Sequence, residues 1–113
     1  MASTIPLNTF KTTTANVTTT VSTIYTAPAG VTTVILLAQV ANIHGSNSVT
    51  ITANHVRGSN STAIIRNTVI PINDAVNLLT GKLILQTGDS FSISASENNY
   101  SQLLLSYLET ANA

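Results

Sequence analysis

Hydrophobic and polar residues alternate one for one over much of the chain. Between residues 90 and 96, Phe91, Ile93 and Ala95 sit between serines, which predicts a strand with one dry face and one wet face. Val49, Ile51 and Ala53 alternate with Thr50, Thr52 and Asn54 in the same way. Residues 18–25, 62–70, 75–79 and 82–86 are less regular versions, rich in Val, Ile, Thr and Leu. Turn signals separate these segments: Pro28-Ala29-Gly30, His44-Gly45-Ser46-Asn47, Gly58-Ser59-Asn60, Pro71-Ile72-Asn73-Asp74, Thr80-Gly81 and Thr87-Gly88-Asp89. No window carries a helical period. Asn73-Asp74 reads either as a cap for one helical turn or as the entry to a short edge strand. Short strands at such regular spacing predict an all-β fold, an antiparallel β-sandwich of about eight strands, jelly-roll-like or immunoglobulin-like in its wiring.

Residues 18–113 read as a single β-sandwich domain. Residues 1–17, with Thr12-Thr13-Thr14 and little apolar content, read as an N-terminal extended arm or a first edge strand. The alternative places the first strand at residues 17–25 and lets the preceding residues fray.

Two segments break the one-sided rule. Val34-Ile35-Leu36-Leu37-Ala38 and Leu103-Leu104-Leu105 with Tyr107-Leu108 are apolar on both alternating faces. A sandwich strand buries one face only, so these two need a cover on the outside. With no amphipathic helix to supply it, a second copy of the chain is the expected cover. The alternative is that the N-terminal arm folds over them.

Composition sharpens this picture. Charged residues are 7 % of the chain, against 43 % hydrophobic, and four basic side chains balance four acidic ones. The polar remainder is Thr, Ser and Asn, which favour strands and turns. No basic run is present to attract nucleic acid or an anionic membrane. A near-neutral domain has little colloidal repulsion, which suits life inside an assembly. With no cysteine, disulfides, thiolate catalysis and Cys-ligated metals are excluded. The N-terminus lacks the pattern of a secretory signal, and the longest apolar run, 34–38, is far too short to cross a bilayer as a helix.

Candidate chemistry is sparse. A metal site needs several converging ligands, and the only imidazoles are His44, in a predicted loop, and His55, at a strand end. The expectation is an exposed loop imidazole and a hydrogen-bonded strand-end one. Asp74 and Asp89 fall at turns, where Asp satisfies backbone donors. Glu97 and Glu109 lie at opposite ends of the last hairpin, which argues against a carboxylate pair for glycoside hydrolysis. There is no nucleophile elbow and no phosphate-binding glycine loop. Asn16-Val17-Thr18, Asn60-Ser61-Thr62 and Asn99-Tyr100-Ser101 match the glycosylation pattern by chance in a chain this rich in Asn, Ser and Thr. The reading is therefore a non-enzyme: no catalytic residues, no cofactor, no metal.

Three stretches resemble a diffuse group of small virion proteins of tailed bacteriophages, of the marine and cyanophage type. They are Ile24-Tyr25-Thr26-Ala27-Pro28-Ala29-Gly30-Val31-Thr32; Ala38-Gln39-Val40-Ala41-Asn42-Ile43 leading into Val49-Thr50-Ile51; and residues 81–96, with Thr87-Gly88-Asp89-Ser90 at their turn, closed by Leu105-Ser106-Tyr107-Leu108-Glu109. The resemblance runs from about residue 20 onward and rests on turn and hairpin motifs. It implies a β-sandwich virion structural protein, most readily a capsid decoration or cement protein, with a neck, tail or fibre component, including one touching host glycans, as the alternative. Its partners would be copies of itself, three as a first expectation, and the major capsid protein. No nucleic acid or membrane partner is implied. The location would be the virion, after synthesis in the host cytoplasm.

Overall fold

The computed structural model describes residues 8–111. Nine strands carry them: β1 Asn8–Asn16, β2 Ser22–Thr26, β3 Val31–Asn42, β4 Val49–Arg57, β5 Asn60–Ile70, β6 Ala75–Asn77, β7 Leu83–Leu85, β8 Ser90–Ala95 and β9 Ser101–Ala111. One sheet has five strands in the order β1-β9-β3-β6, with β7 also paired to β3; the other has four, β2-β8-β4-β5. All pairings are antiparallel. The expected antiparallel β-sandwich is therefore the fold.

The wiring selects between the two expected topologies. β6 pairs with residues 39–41 of β3 and β7 with residues 33–35, so the two share one flank of β3 and act as a single broken strand. Counting them as one leaves eight positions in two interlocked four-strand sheets, the jelly roll. The break falls where Leu78 turns into the core, its amide donating to the Ala38 carbonyl at 2.7 Å. This is why residues 75–79 and 82–86, read as longer strands, shrink to three residues each. The Asn73-Asp74 segment is a turn closed by the Asp74 amide on the Pro71 carbonyl, with no helical turn.

Period-two patterning sets the core. Phe91, Ile93, Ile51, Ile35, Leu85, Ile70, Leu103 and Leu105 are essentially inaccessible, each stabilising the fold by roughly 1.5–3 kcal/mol relative to exposure. Two turns need a left-handed third residue and have glycine there, Gly30 at φ 75° and Gly88 at φ 89°. The strand read at 18–25 starts only at Ser22. Ahead of it the chain folds on itself, with the Thr18 and Ser22 hydroxyls both donating to the Thr20 carbonyl. Buried Val17 anchors this bend through backbone hydrogen bonds to Ser101 and Asn99.

Candidate interaction surface

β3 and β9, the two segments apolar on both faces, are neighbours at the centre of the five-stranded sheet. Their inward phase is Val31, Thr33, Ile35, Ala38, Val40 and Asn42 on β3 and Ser101, Leu103, Leu105 and Tyr107 on β9. A register shift against β9 between Ile35 and Leu37 lets Ile35 and Ala38 both point inward although three positions apart. Such a bulge adds a residue to one strand, and here it leaves Leu36 and Leu37 together on the outer side.

Strand register then assembles the outer face row by row. Phe10 pairs with Leu108, Leu108 with Val34, and Val34 with Ile84, so one apolar row runs across β1, β9, β3 and β7. Phe10 is 73 % exposed and Ile84 49 %. Further along the strands, Thr14, Leu104, Gln39 and Asn77 form one row and Asn16, Gln102, Ala41 and Ala75 the next. Thr14, Asn16, Gln39, Ala41, Gln102 and Leu104 of these rows line an open depression of about 650 Å³. No charged side chain stands on these rows, because Lys11 and Glu109 belong to the inward phase of β1 and β9. Residues 8–16 of the expected arm lie beside β9 as β1, in plane with the sheet and not across its face; residues 1–7 lie outside the described residues.

A polar cluster fixes β1 in this position. Lys11 Nζ meets Glu109 Oε1 at 2.8 Å. The Tyr25 hydroxyl donates to Glu109 Oε2 at 2.6 Å and lies 2.7 Å from Thr33 Oγ1. Thr13 Oγ1 and the Tyr107 hydroxyl are 2.9 Å apart, and the Tyr25 and Tyr107 rings pack across the two sheets at 4.4 Å. Burial pushes the Glu109 carboxyl up, but hydrogen bonds from Lys11 and Tyr25 outweigh it and hold it below its ordinary value. Burial, then the bond to Glu109, raises the Tyr25 phenol.

Of the residues singled out for chemistry, His55 and Asp89 come together, and His44, Asp74 and Glu97 are engaged apart from them. His44 Nδ1 accepts from the amides of Ser46 (3.3 Å) and Asn47 (3.1 Å). Its ring stacks on Tyr100 at 3.8 Å and 12°, so it is half-buried where an exposed loop imidazole was expected. His55 is the expected hydrogen-bonded strand-end imidazole, with Nε2 3.1 Å from Asp89 Oδ2. Asp89 is also gripped by Arg57, Nε to Oδ1 at 2.9 Å and Nη2 to Oδ2 at 2.7 Å, and accepts the Gln86 amide. The Arg57 guanidinium holds the Asp89 carboxyl far below the usual carboxylate range. Asp74 accepts the Ala75 amide, and Glu97 is exposed in the β8–β9 turn. Among the described residues no three His, Asp or Glu side chains come together as metal ligands, and no helix is long and apolar enough to cross a membrane. Sequence reasoning missed Arg57; its place two residues after His55, on the same strand face, was the available signal.

No family model matches the chain and no curated protein matches its sequence. Among solved structures, one from Bacillus endospore appendages, described as a novel family of disulfide-linked pili, superposes with a TM-score of 0.56 at 12 % identity. The match covers 94 % of this chain and 88 % of that one. At this identity the likeness is one of fold.

Proposed function

We propose that this chain is a non-enzymatic structural subunit that works by assembling with copies of itself inside a larger particle. The observation that carries the reading is the outer face of the five-stranded sheet, crossed by the exposed apolar row Phe10, Leu108, Val34 and Ile84 and uncovered by the described residues. A contiguous apolar face of this kind on a small domain marks a site of association. Many identical weak contacts then add up through avidity.

The particle we favour is a bacteriophage virion, with the subunit decorating the head shell against the major capsid protein. The sequence likeness at residues 24–32, at 38–43 with 49–51, and at 81–96 with 105–109 supports this reading. The fold likeness to an endospore appendage favours a second reading, a subunit of an extracellular fibre. Copies of this chain have no cysteine to join them by disulfides, so a fibre would rest on non-covalent packing. Mass spectrometry of purified particles separates the readings. Hundreds of copies per virion are expected for head decoration, a dozen or fewer for a neck or tail part. Recovery in detached surface filaments but not in virions overturns the virion reading in favour of the fibre.

A further inference from the structure

The geometry points to a second copy of this chain as the occupant of that face, seated by a two-fold axis that runs along the strands between β9 and β3. This rests on the assembly reading and specifies its contact. Such an axis exchanges β9 with β3 and β1 with the β6–β7 flank, while mapping each row onto itself. Phe10 of one copy then lies over Ile84 of the other, and Leu108 over Val34. The apolar row is thus its own complement, as an isologous interface requires. The amide rows behave likewise, Gln39 facing Leu104 and Asn77 facing Thr14, with side chains able to donate and accept.

Area and charge favour this occupant. β9 is 11 residues long, about 36 Å at ~3.3 Å per residue, and four strand positions ~4.8 Å apart span about 19 Å. The face therefore offers on the order of 700 Å² per copy, close to the ~800 Å² per partner of a stable interface. The paired rows carry no charged side chain, so they meet their own copy without like-charge repulsion. An in-plane axis across the strands at mid-face would instead lay the apolar row on the amide rows. A ring of three copies needs two different surfaces, and this row supplies one surface matched to itself.

The test uses the full chain carrying Phe10→Cys and Ile84→Cys, the only thiols present. A short bis-maleimide is chosen to bridge the ~10 Å between stacked sheets but not the ~14 Å between these positions within one chain. The expected result is efficient linkage into a species of two copies, with none for Phe10→Cys alone, because the two Phe10 sites fall at opposite edges. Sedimentation of the unmodified chain should give twice 11.8 kDa. A double-Cys chain that sediments as two copies yet does not cross-link, self-linking by Phe10→Cys alone, or a three-copy mass overturns the axis while leaving the assembly reading standing. A monomer at every concentration overturns both.

Discussion

The two outer faces of this sandwich belong to one chain of low charge, yet they are dressed differently. On the four-stranded sheet the outward rows pair Ser94 with Thr52, Ser92 with Thr23 and Asn54, and Ser90 with Thr26 and Val56. The Thr26 and Ser90 hydroxyls meet there at 3.1 Å, while Ser92 is 3 % exposed with no partner for its Oγ among the described residues, and Val69, paired with Thr50, is the exposed apolar side chain of this face. On the five-stranded sheet the corresponding positions carry Phe10, Leu108, Val34, Leu36, Leu37, Leu104 and Ile84 beside a polar end of Thr14, Asn16, Gln39, Gln102 and Asn77. β8 shows that the outward phase of a strand in this protein can be filled by serine alone. The leucines of β3 and β9 are therefore not demanded by the fold, and assembly is the remaining reason for them.

The largest expected effect comes from charging the apolar row. Leu108→Asp places an unpaired carboxylate at the centre of the contact, where desolvation costs about 4 kcal/mol, and should weaken self-association about a thousandfold. Ser94→Asp, the same charge on the opposite face, should leave association unchanged. Sedimentation equilibrium of the two variants, with melting curves to confirm that both fold, decides the matter. Equal loss in both would erase the distinction between the faces.

The comparison extends to one carboxylate in each sheet. Asp89, 3 % exposed, is forked by Arg57 and touched by His55. Asp89→Ala strips four hydrogen bonds of its carboxylate from the turn before β8 and should cost about 3 kcal/mol, lowering Tm by more than about 10 °C. Because the folded carboxyl sits far below its unfolded value, its contribution is full above the ordinary carboxylate range and is lost as pH falls below about 4. Stability measured against pH should therefore lose part of its acid limb in Asp89→Asn. An unchanged limb would mean that Asp89 is not the group responsible. Phe10→Ala is the reverse case. It should leave Tm nearly untouched, since Phe10 lies mostly in solvent, and weaken association about ten- to a hundredfold.

How much of this was legible follows from how local each feature is. Residues 90–96 could be read at once because their period is two and both faces are fully specified by five or six neighbours. The two-sided character of residues 34–38 was also visible. What was not visible is the bulge that puts Leu36 and Leu37 on one side, because it is a property of pairing with β9. Phe10 stands alone in a threonine-rich stretch and acquires meaning only from register against Leu108, almost a chain length away. Ile84 sits in a three-residue strand whose brevity is set by Leu78 plugging the core. Arg57 and Asp89 meet only because β4 and β8 are paired. Local patterning thus fixed the class of fold and located the strands of the surface, while the row crossing them is a product of topology.

The smallest expected effect is the most discriminating about how β1 is held. Lys11 and Arg57 look equivalent, each a cation on a buried carboxylate. Yet Arg57 engages both oxygens of Asp89 whereas Lys11 meets only one oxygen of Glu109. Both cations are about half exposed, but a planar fork loses less freedom per bond and fixes geometry on its nearly inaccessible carboxylate, while a single ammonium contact is more readily screened by salt. Lys11→Met should therefore move the unfolding midpoint little, because Glu109 keeps the Tyr25 hydroxyl and β1 keeps its full backbone ladder with β9. Its signature should be local: faster hydrogen exchange of β1 amides at low salt, converging with the parent chain as salt rises. Weaker holding of β1 also loosens the edge that carries Phe10, so a small fall in association should accompany it and vanish in Phe10→Ala. If Lys11→Met instead unfolds the protein as severely as Asp89→Ala, the single lysine contact matters as much as the arginine fork, and the contrast between the two anchors fails.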